Sequence, residues 1–275
     1  MQPFVKWAGG KRQLIPAINE RLPKEFDTYY EPFVGGGALL FATAPKKAVV
    51  GDINTVLVNT YNQIKNDVDS LTTILDRLIA EHHEAEDKKS FYLEMRSKYN
   101  NKIEENDISL VTTALFMYLN KTCFNGLYRV NSKGLFNVPF NNRKTLNIYS
   151  KENLDDIAKY LSNVEILNCD FEETCKNAKK GDFVFFDSPY APLKPDSFES
   201  YTKEGFALEE HIRLANLFKE LSKKGVYCML TNHNTELIND LYKDFNIEVV
   251  PVKRMINSDA KNRVGEEVII TNYNY

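Results

Sequence analysis

The sequence predicts an α/β fold with a doubly wound, mostly parallel sheet and an inserted segment of different character. Short apolar runs that end on an acidic residue recur at 47–52, 164–170 and 182–187. Their length and lack of polar alternation are typical of strands buried on both faces of a parallel sheet. A further apolar run covers 226–231, and 267–271 predicts a late strand for which an antiparallel direction stays open.

The middle of the chain has a different pattern. A helix is predicted from about 54 to 66, and 67–122 predicts successive amphipathic helices because apolar residues recur there at helical spacing. Two β-prone runs flank the turn sequence at 131–134, which indicates a hairpin at about 124–140.

The chain length supports this organisation. With 275 residues the chain is long enough for one large α/β domain that contains an inserted subdomain. We expect 1–55 and 161–275 to form the main domain and 56–160 to form the insert. A composition of 43% hydrophobic and 27% charged residues excludes a collagenous, disordered or disulfide-stapled chain.

The same composition bears on compartment and metal content. No apolar run approaches the ~20 residues of a membrane helix, and the first residues show no signal-peptide pattern. The four cysteines lack CxxC spacing, which is typical of reduced cytosolic thiols, and the four histidines lack metal-ligand spacing. We therefore expect a cytoplasmic protein with no membrane association, no metal and no obligate protein partner.

The net charge of −3 disfavours a nucleic-acid partner only as an average over the chain. Between Asp107 and Glu152 there is no acidic residue, whereas basic residues recur in that span: Lys121, Arg129, Lys133, Arg143, Lys144 and Lys151. Since salt screens charges beyond ~8–10 Å, local potential decides whether phosphates bind. The span is therefore a candidate nucleic-acid surface, and a solvated basic face is the simpler alternative.

A glycine-rich turn, Phe33-Val34-Gly35-Gly36-Gly37, follows a short predicted strand and precedes a helix that begins near Ala38. Glycines allow a sharp turn and the close approach of a ligand, and Asp52 ends the next strand where doubly wound folds hold a ribose diol. Because no glycine completes a G-x-G-x-x-G pattern, a nucleoside without pyrophosphate fits better than a dinucleotide. A purely structural turn is equally compatible with these glycines.

The segment Trp7-Ala8-Gly9-Gly10-Lys11 contains the Gly-Lys pair of a P-loop without its other residues. Arg12 stands where the magnesium-binding Ser or Thr should be, and the opening glycine is missing. We therefore reject a P-loop, and a tryptophan that fills a core stays an equal alternative for Trp7.

The tetrapeptide Asp187-Ser188-Pro189-Tyr190 follows the strongest predicted strand, at the edge where open α/β sheets bind ligands. One chemistry that this set of groups would serve is reaction at an exocyclic adenine amine. Such an amine is a poor nucleophile because its lone pair is delocalised into the ring. The Asp187 carboxylate and the Ser188 carbonyl would orient that lone pair, and the Tyr190 ring would stack on the base. A simple turn made by Asp, Ser and Pro is the alternative without chemistry.

Taken together, the motifs occur in a fixed order: KWAGGK, EPFVGGG, GDIN, FNGLYR, FNVPF, NCDF and DSPY. This set resembles the Dam-type, α-group DNA adenine-N6 methyltransferases, closest to the GATC-modifying enzymes of restriction–modification systems, from Phe4 to about Tyr273. The resemblance implies a seven-stranded S-adenosylmethionine-dependent methyltransferase fold, with S-adenosylhomocysteine as product. It also implies double-stranded DNA containing GATC as the partner, with single-stranded DNA left open, and a target adenine that is flipped out of the helix.

The resemblance also assigns roles to residues. Those that match the cofactor site are Trp7, Lys11, Phe33, Gly35, Gly37, Asp52, Asp170 and Asp187. Those that match the catalytic pocket of the target base are Asp187, Ser188, Pro189 and Tyr190. Family hairpins of this type enter the major groove, where the residue matching Arg129 contacts a guanine. The candidate DNA-binding residues are Lys6, Phe124, Asn125, Leu127, Arg129, Lys133 and Pro139.

The chain departs from the family pattern at Ser188, where a proline is usual. The carbonyl acceptor belongs to the backbone and is retained, and Pro189 still biases Ser188 toward an extended conformation. What is lost is the rigidity of one ring. We expect activity; the alternatives are a catalytically weak or inactive DNA-binding homologue and a nicotinamide-dependent oxidoreductase on a similar sheet.

Overall fold

The computed structural model describes residues 1–7, 9, 11, 13–142, 146–193, 206–253 and 264–275. The strands in these residues are β1 (Tyr29–Glu31), β2 (Ala48–Gly51), β3 (Val164–Leu167), β4 (Phe183–Phe186), β5 (Tyr227–His233), β6 (Asn246–Lys253) and β7 (Val264–Thr271). They form one seven-stranded sheet in the order β3-β2-β1-β4-β5-β7-β6.

The sheet is mostly parallel. β1 pairs in parallel with both β2 and β4, and β4 pairs in parallel with β5. β7 runs antiparallel to both β5 and β6. The predicted α/β fold is therefore confirmed, and the late strand predicted at 267–271 exists and is antiparallel.

The edge strand β6 was not among the predicted strands. Its sequence contains Pro251, and a proline inside an apolar run argues against a central strand because it cannot donate to the ladder. β6 pairs with β7 and stands last in the strand order, and an edge position tolerates the missing donor.

The described chain forms two compact units. The helical unit consists of Met1–Gly10, Gly35–Ala44 and Asn54–Asn168, and the sheet unit consists of Lys11–Val34, Pro45–Ile53 and Cys169–Tyr275. The boundaries predicted from the sequence, with an insert at 56–160, stay a prediction.

The sheet unit has its core around β4, in which every residue is buried. Its helices are α1 (Ile15–Asn19), α7 (Phe171–Cys175), α8 (Leu208–Lys223) and α9 (Glu236–Leu241). Phe218 of α8 packs on Phe186 of β4 with ring centroids 5.9 Å apart. This packing fixes the strand that immediately precedes the Asp187 motif.

The helical unit contains α2 (Ala38–Thr43), α3 (Thr55–Glu84), α4 (Lys88–Glu104), α5 (Leu110–Thr122) and α6 (Lys151–Leu161). Asp67 interrupts α3 with φ −153° and ψ 64°, and its carboxylate accepts a hydrogen bond from the Ser70 amide. The predicted helix boundary near 66 is thus a kink inside a longer helix. Within the described residues, the structure contains no helix with the length and apolarity needed to cross a bilayer.

The predicted hairpin is present as a tight turn with little regular strand structure. The Asn131 amide donates to the Leu135 carbonyl (2.9 Å), and the Asn137 amide donates to the Arg129 carbonyl (3.2 Å). Only isolated antiparallel bridges, such as Val130 with Phe136, flank the turn in this segment. The turn itself is closed by Gly134, whose φ of +77° suits glycine.

The buried histidine His211 on α8 ties the stability of the sheet unit to pH. It is 1% exposed, packs edge-on against Phe206, and its Nε2 has no hydrogen-bond partner among the described residues. Burial lowers the pKa of His211 from 6.5 to about 4. Between pH 6.5 and about 4, the His211 imidazole is therefore neutral in the folded protein and protonated in the unfolded chain.

We expect the free energy of unfolding to fall as the pH drops from 6.5 to about 4, with roughly 3 kcal/mol of that loss due to His211. The substitution His211→Leu removes this proton uptake and should flatten the pH dependence in that window, as measured by urea unfolding at several pH values. The matched substitution of the exposed His83 to Leu should leave the slope in place. An equal slope in wild type and His211→Leu would contradict the assignment.

Candidate active site

The carboxyl ends of parallel strands in the sheet unit bring acidic residues to one edge. Asp52 follows β2 and Asp187 follows β4, with β1 between these two strands. Parallel strands end on the same side of a sheet, and open α/β folds bind ligands at that side. The apolar-run-then-acid pattern in the sequence therefore corresponds to a real edge of the structure.

Asp187 is the centre of a buried charge cluster. The Lys11 ammonium lies 2.7 Å from its Oδ1, and the two side chains are 8% and 19% exposed. The Thr231 hydroxyl of β5 donates to the same oxygen over 3.2 Å. Burial raises the pKa of Asp187 above its ordinary value, whereas Lys11 and Thr231 oppose that rise by stabilising the carboxylate.

The residues after Asp187 are held in different ways. Ser188 is buried, and its hydroxyl has no hydrogen-bond partner among the described residues; Pro189 is exposed. The Tyr190 hydroxyl donates to Glu267 Oε2 over 2.6 Å, and the Lys11 ammonium lies 4.3 Å from the centre of the Tyr190 ring. Carboxylate, ring and ammonium therefore share one small site.

The turn before the glycines is fixed to the end of β2. The Val34 amide donates to the Gly51 carbonyl (2.9 Å), and Phe33 stacks on Phe171 with ring centroids 5.4 Å apart. Phe206 meets Phe33 edge-on at 5.7 Å. The half-buried Phe33 is thus part of an aromatic cluster at the same edge as Asp52.

Asp170 has a structural role at the start of α7. Its carboxylate accepts a hydrogen bond from the Glu172 amide (3.0 Å) as the N-cap, and it forms an ion pair with Arg213. The Arg213 guanidinium lies 4.3 Å from the centre of the Phe171 ring. The predicted contact of Asp170 with a cofactor stays a prediction.

The glycines of the turn have a packing role in the helical unit. A Cβ atom on Gly35, which has a φ of +49°, would lie 2.9 Å from Cδ1 of Trp7. A Cβ on Gly37, with a φ of +69°, would lie 2.6 Å from the Tyr61 hydroxyl. Trp7 also stacks on Tyr128 at 5.3 Å. The structural interpretation of these residues is therefore well founded, and their cofactor role stays a prediction.

Several candidate DNA-binding residues lie together in the helical unit. The Lys6 side chain packs against Gly126, and the amide and carbonyl of Lys6 both bond to the buried Asn120 side chain (2.8 and 2.9 Å). The Phe124 amide donates to the Pro139 carbonyl (2.8 Å). Asn120 was not predicted from the sequence, where it directly follows the apolar run 114–119.

The hairpin presents exposed cations and apolar side chains. Arg129 and Lys133 are exposed, and Arg129 Nε donates to Asn137 Oδ1 over 2.7 Å. Phe124 and Leu127 are 51% and 40% exposed. Asn125, between them in sequence, has a φ of +56° and is also exposed.

Not every cation of the acid-free span is available. Lys151 forms ion pairs with Asp69 (3.1 Å) and Asp155 (2.6 Å), so acids from outside the span partly neutralise it. Arg143 and Lys144 lie outside the described residues. Among the described residues of this span, Arg129 and Lys133 of the hairpin are the exposed cations outside the Lys151 ion pairs.

Three site residues of the sheet unit were not predicted from the sequence. They are Thr231, His233 and Glu267. Thr231 contacts Asp187, Glu267 contacts Tyr190, and His233 contacts Ala191, the residue after Tyr190. The available signal for the first two was the polar Thr-Asn-His sequence directly after an apolar run. Glu267 gave no local signal.

Comparison with known proteins places the amino-acid sequence in a family. A family model described as D12 class N6 adenine-specific DNA methyltransferase matches residues 7–256. The Type II methyltransferase M1.LlaDCHI of Lactococcus lactis subsp. cremoris is 43% identical, covering 99% of this chain and 96% of the relative. For the Type II methyltransferase M.MjaIII of Methanocaldococcus jannaschii, the identity is 44% with 99% of both chains covered.

A further relative carries a different name. The DNA adenine methylase of Haemophilus influenzae is 33% identical, and the alignment covers 98% of this chain and 92% of that protein. These matches confirm the resemblance that the ordered motifs indicated. Since the family model spans most of the chain and the relatives align along nearly all of it, the chain belongs to the D12 class of N6 adenine-specific DNA methyltransferases.

Proposed function

We propose that the chain transfers a methyl group from S-adenosylmethionine to N6 of an adenine flipped out of double-stranded DNA, within GATC, in a restriction–modification system. Family membership supports the reaction class, and the ordered motifs support the donor and the GATC site. Two relatives that bear the name Type II methyltransferase support the restriction–modification setting.

One observation carries the proposal: the Asp187 carboxylate and the Tyr190 ring together already hold one N–H donor. The Lys11 ammonium donates to the Asp187 carboxylate at 2.7 Å and lies 4.3 Å from the centre of the Tyr190 ring. An adenine amine needs the same two partners, an acceptor for its hydrogens and an aromatic face for the attached ring. The groups that accept the Lys11 N–H therefore also suit the exocyclic amine of an adenine.

The reaction needs the amine lone pair to be directed at the methyl donor. The Asp187 carboxylate and the Ser188 carbonyl accept the two amine hydrogens, which localises the lone pair on N6 and points it away from both acceptors. Attack is direct, with no covalent enzyme intermediate. The extra proton leaves to solvent after methylation.

The donor set at the sheet edge fits a nucleoside cofactor. S-adenosylmethionine supplies a methyl group on a positively charged sulfur, which makes that carbon electrophilic. The Asp52 carboxylate suits the two ribose hydroxyls, and the adjacent Ile53 is 76% exposed, an apolar surface suited to a purine face. The full proposed cofactor set is Trp7, Lys11, Phe33, Gly35, Gly37, Asp52, Ile53, Asp170 and Asp187.

The hairpin has the chemistry for reading duplex DNA. The exposed Arg129 guanidinium can donate two hydrogen bonds to one guanine edge in the major groove, and the exposed Lys133 suits a phosphate. The apolar Leu127 and Phe124 suit contacts with bases or sugars. These residues, with Lys6, Asn125 and Pro139, form the proposed DNA surface.

The proposal is tested by sequencing plasmid DNA from cells that express the protein and mapping N6-methyladenine. Modification at GATC is the expected result. Modification at another motif would refute GATC as the recognition sequence but not the proposed reaction. Tight binding to GATC without any transfer of a labelled methyl group would favour the inactive homologue that Ser188 left open.

The substitution Asp187→Ala should lower the rate of methyl transfer roughly 10²–10³-fold, because it removes a preorganised acceptor for the amine. Transfer of tritium from labelled S-adenosylmethionine to a GATC duplex measures the rate, and fluorescence anisotropy should show DNA affinity largely retained. Asp244→Ala, at an exposed acid of the same unit, is the matched control. Full turnover in Asp187→Ala would refute the assigned role.

The substitution Asp52→Ala should weaken binding of S-adenosylhomocysteine by about tenfold, or about 1.4 kcal/mol, because the ribose hydroxyls lose their acceptor. Isothermal titration calorimetry measures this without turnover, and the exposed Glu25→Ala variant should bind as wild type does. An unchanged affinity for S-adenosylhomocysteine in Asp52→Ala would refute the ribose contact.

The substitution Arg129→Ala should remove discrimination at one guanine, at about 1–3 kcal/mol, because a bidentate contact to that base is lost. Rates on duplexes with single substitutions in GATC measure the loss position by position. Lys133→Ala should weaken all duplexes alike and reduce the salt dependence of binding. Uniform weakening by Arg129→Ala would make it a phosphate contact.

A further inference from the structure

The Tyr190 side chain is anchored at its far end. Its hydroxyl donates to Glu267 Oε2 at 2.6 Å, and the His233 ring meets the Tyr190 ring edge-on with centroids 4.8 Å apart. The first contact fixes the position of the phenol oxygen, and the second limits rotation of the ring plane. Neither contact uses the Asp187 carboxylate.

The backbone directly after Tyr190 is held on both sides. The Ala191 amide donates to Asn232 Oδ1 (2.9 Å), and the Ala191 carbonyl accepts from His233 Nδ1 (2.8 Å). Both Ala191 and Asn232 are 0% exposed. Because the amide and the carbonyl of Ala191 are both bonded to β5, the chain that leaves Tyr190 has a fixed direction.

These anchors come from a rigid part of the sheet. His233 and Glu267 are directly opposite each other in the antiparallel pairing of β5 with β7. They therefore approach Tyr190 from two hydrogen-bonded strands and do not depend on a loop. This arrangement holds the aromatic ring from outside the motif to which it belongs.

We propose that Glu267 is a positioning residue that fixes the Tyr190 ring for stacking on the target base. His233 contributes through its contacts with the Tyr190 ring and the Ala191 carbonyl, and Asn232 through its bond to the Ala191 amide. The inference rests on the proposed function, since it concerns the same base pocket. A tyrosine held in advance loses no rotamer freedom when the base arrives, so more of the stacking free energy remains for holding the base. The hydrogen bond to Glu267 also explains the role of the Tyr190 hydroxyl, because it anchors the ring from its edge and occupies neither ring face.

The first test compares substitutions at Glu267. Glu267→Ala should lower the single-turnover rate of methyl transfer to a GATC duplex about tenfold, or about 1.4 kcal/mol, with the affinity for S-adenosylhomocysteine unchanged. Glu267→Gln keeps an oxygen acceptor for the Tyr190 hydroxyl and should restore most of the rate. Glu266→Ala removes a neighbouring carboxylate that is exposed and accepts from Asn234 at 2.8 Å, and should stay within about twofold of wild type.

The second test asks whether Glu267 acts through the Tyr190 hydroxyl. Tyr190→Phe should show a loss like that of Glu267→Ala, and the double variant should lose no more than either single one. Full additivity, an unchanged rate in Glu267→Ala, or an equal loss of S-adenosylhomocysteine affinity overturns the inference. If Glu267→Ala does not fold, Tyr190→Phe decides alone: a wild-type rate there overturns it, and a tenfold loss supports it.

The two proposals fail in different ways. If the wild-type protein methylates no DNA adenine, the proposed function fails. If the wild type methylates DNA while the Glu267 and Tyr190 variants match it, only the positioning role fails.

Discussion

The candidate active site depends on one buried carboxylate that is kept charged. Asp187 lies where burial favours the neutral acid, and the Lys11 ammonium at 2.7 Å with the Thr231 hydroxyl opposes protonation. A buried ion pair adds little net stability compared with well-packed apolar residues of similar volume. The pair therefore serves the site more than the fold, because it presents an ionised acceptor beside the Tyr190 ring before any substrate arrives.

The geometry of the sheet explains which parts of the site could be predicted from the sequence. Each strand of the parallel sheet ends on the same edge, so an apolar run followed by an acid predicts an edge carboxylate, as at Asp52 and Asp187. The partners of these residues come from pairing between distant segments. Glu267 reaches Tyr190 because β7 is in register with β5, and no local pattern around position 267 encodes that register. Lys11 was predicted as a cofactor residue, and its contact with Asp187 was not.

Other residues were open to a structural or a cofactor-binding interpretation, and their packing supports a structural role. Gly35 and Gly37 adopt positive φ angles where a side chain would collide with Trp7 or Tyr61, so their identity follows from the turn itself. Asp170, for which the resemblance implied only a cofactor contact, caps a helix and pairs with Arg213. The net charge of −3 likewise concealed a local arrangement, since Arg129 and Lys133 stand exposed on a hairpin with no acid in its sequence.

The proline in β6 has a consequence for how copies of this chain behave when they are crowded. An exposed sheet edge is a template on which another strand can align and aggregate. Pro251 deprives that edge of a backbone donor, and Glu248 of the same strand forms an ion pair with Arg21 (2.5 Å), which places two charged side chains there. Pro251, because of which β6 was not predicted from the sequence, thus hinders the addition of further strands at this edge.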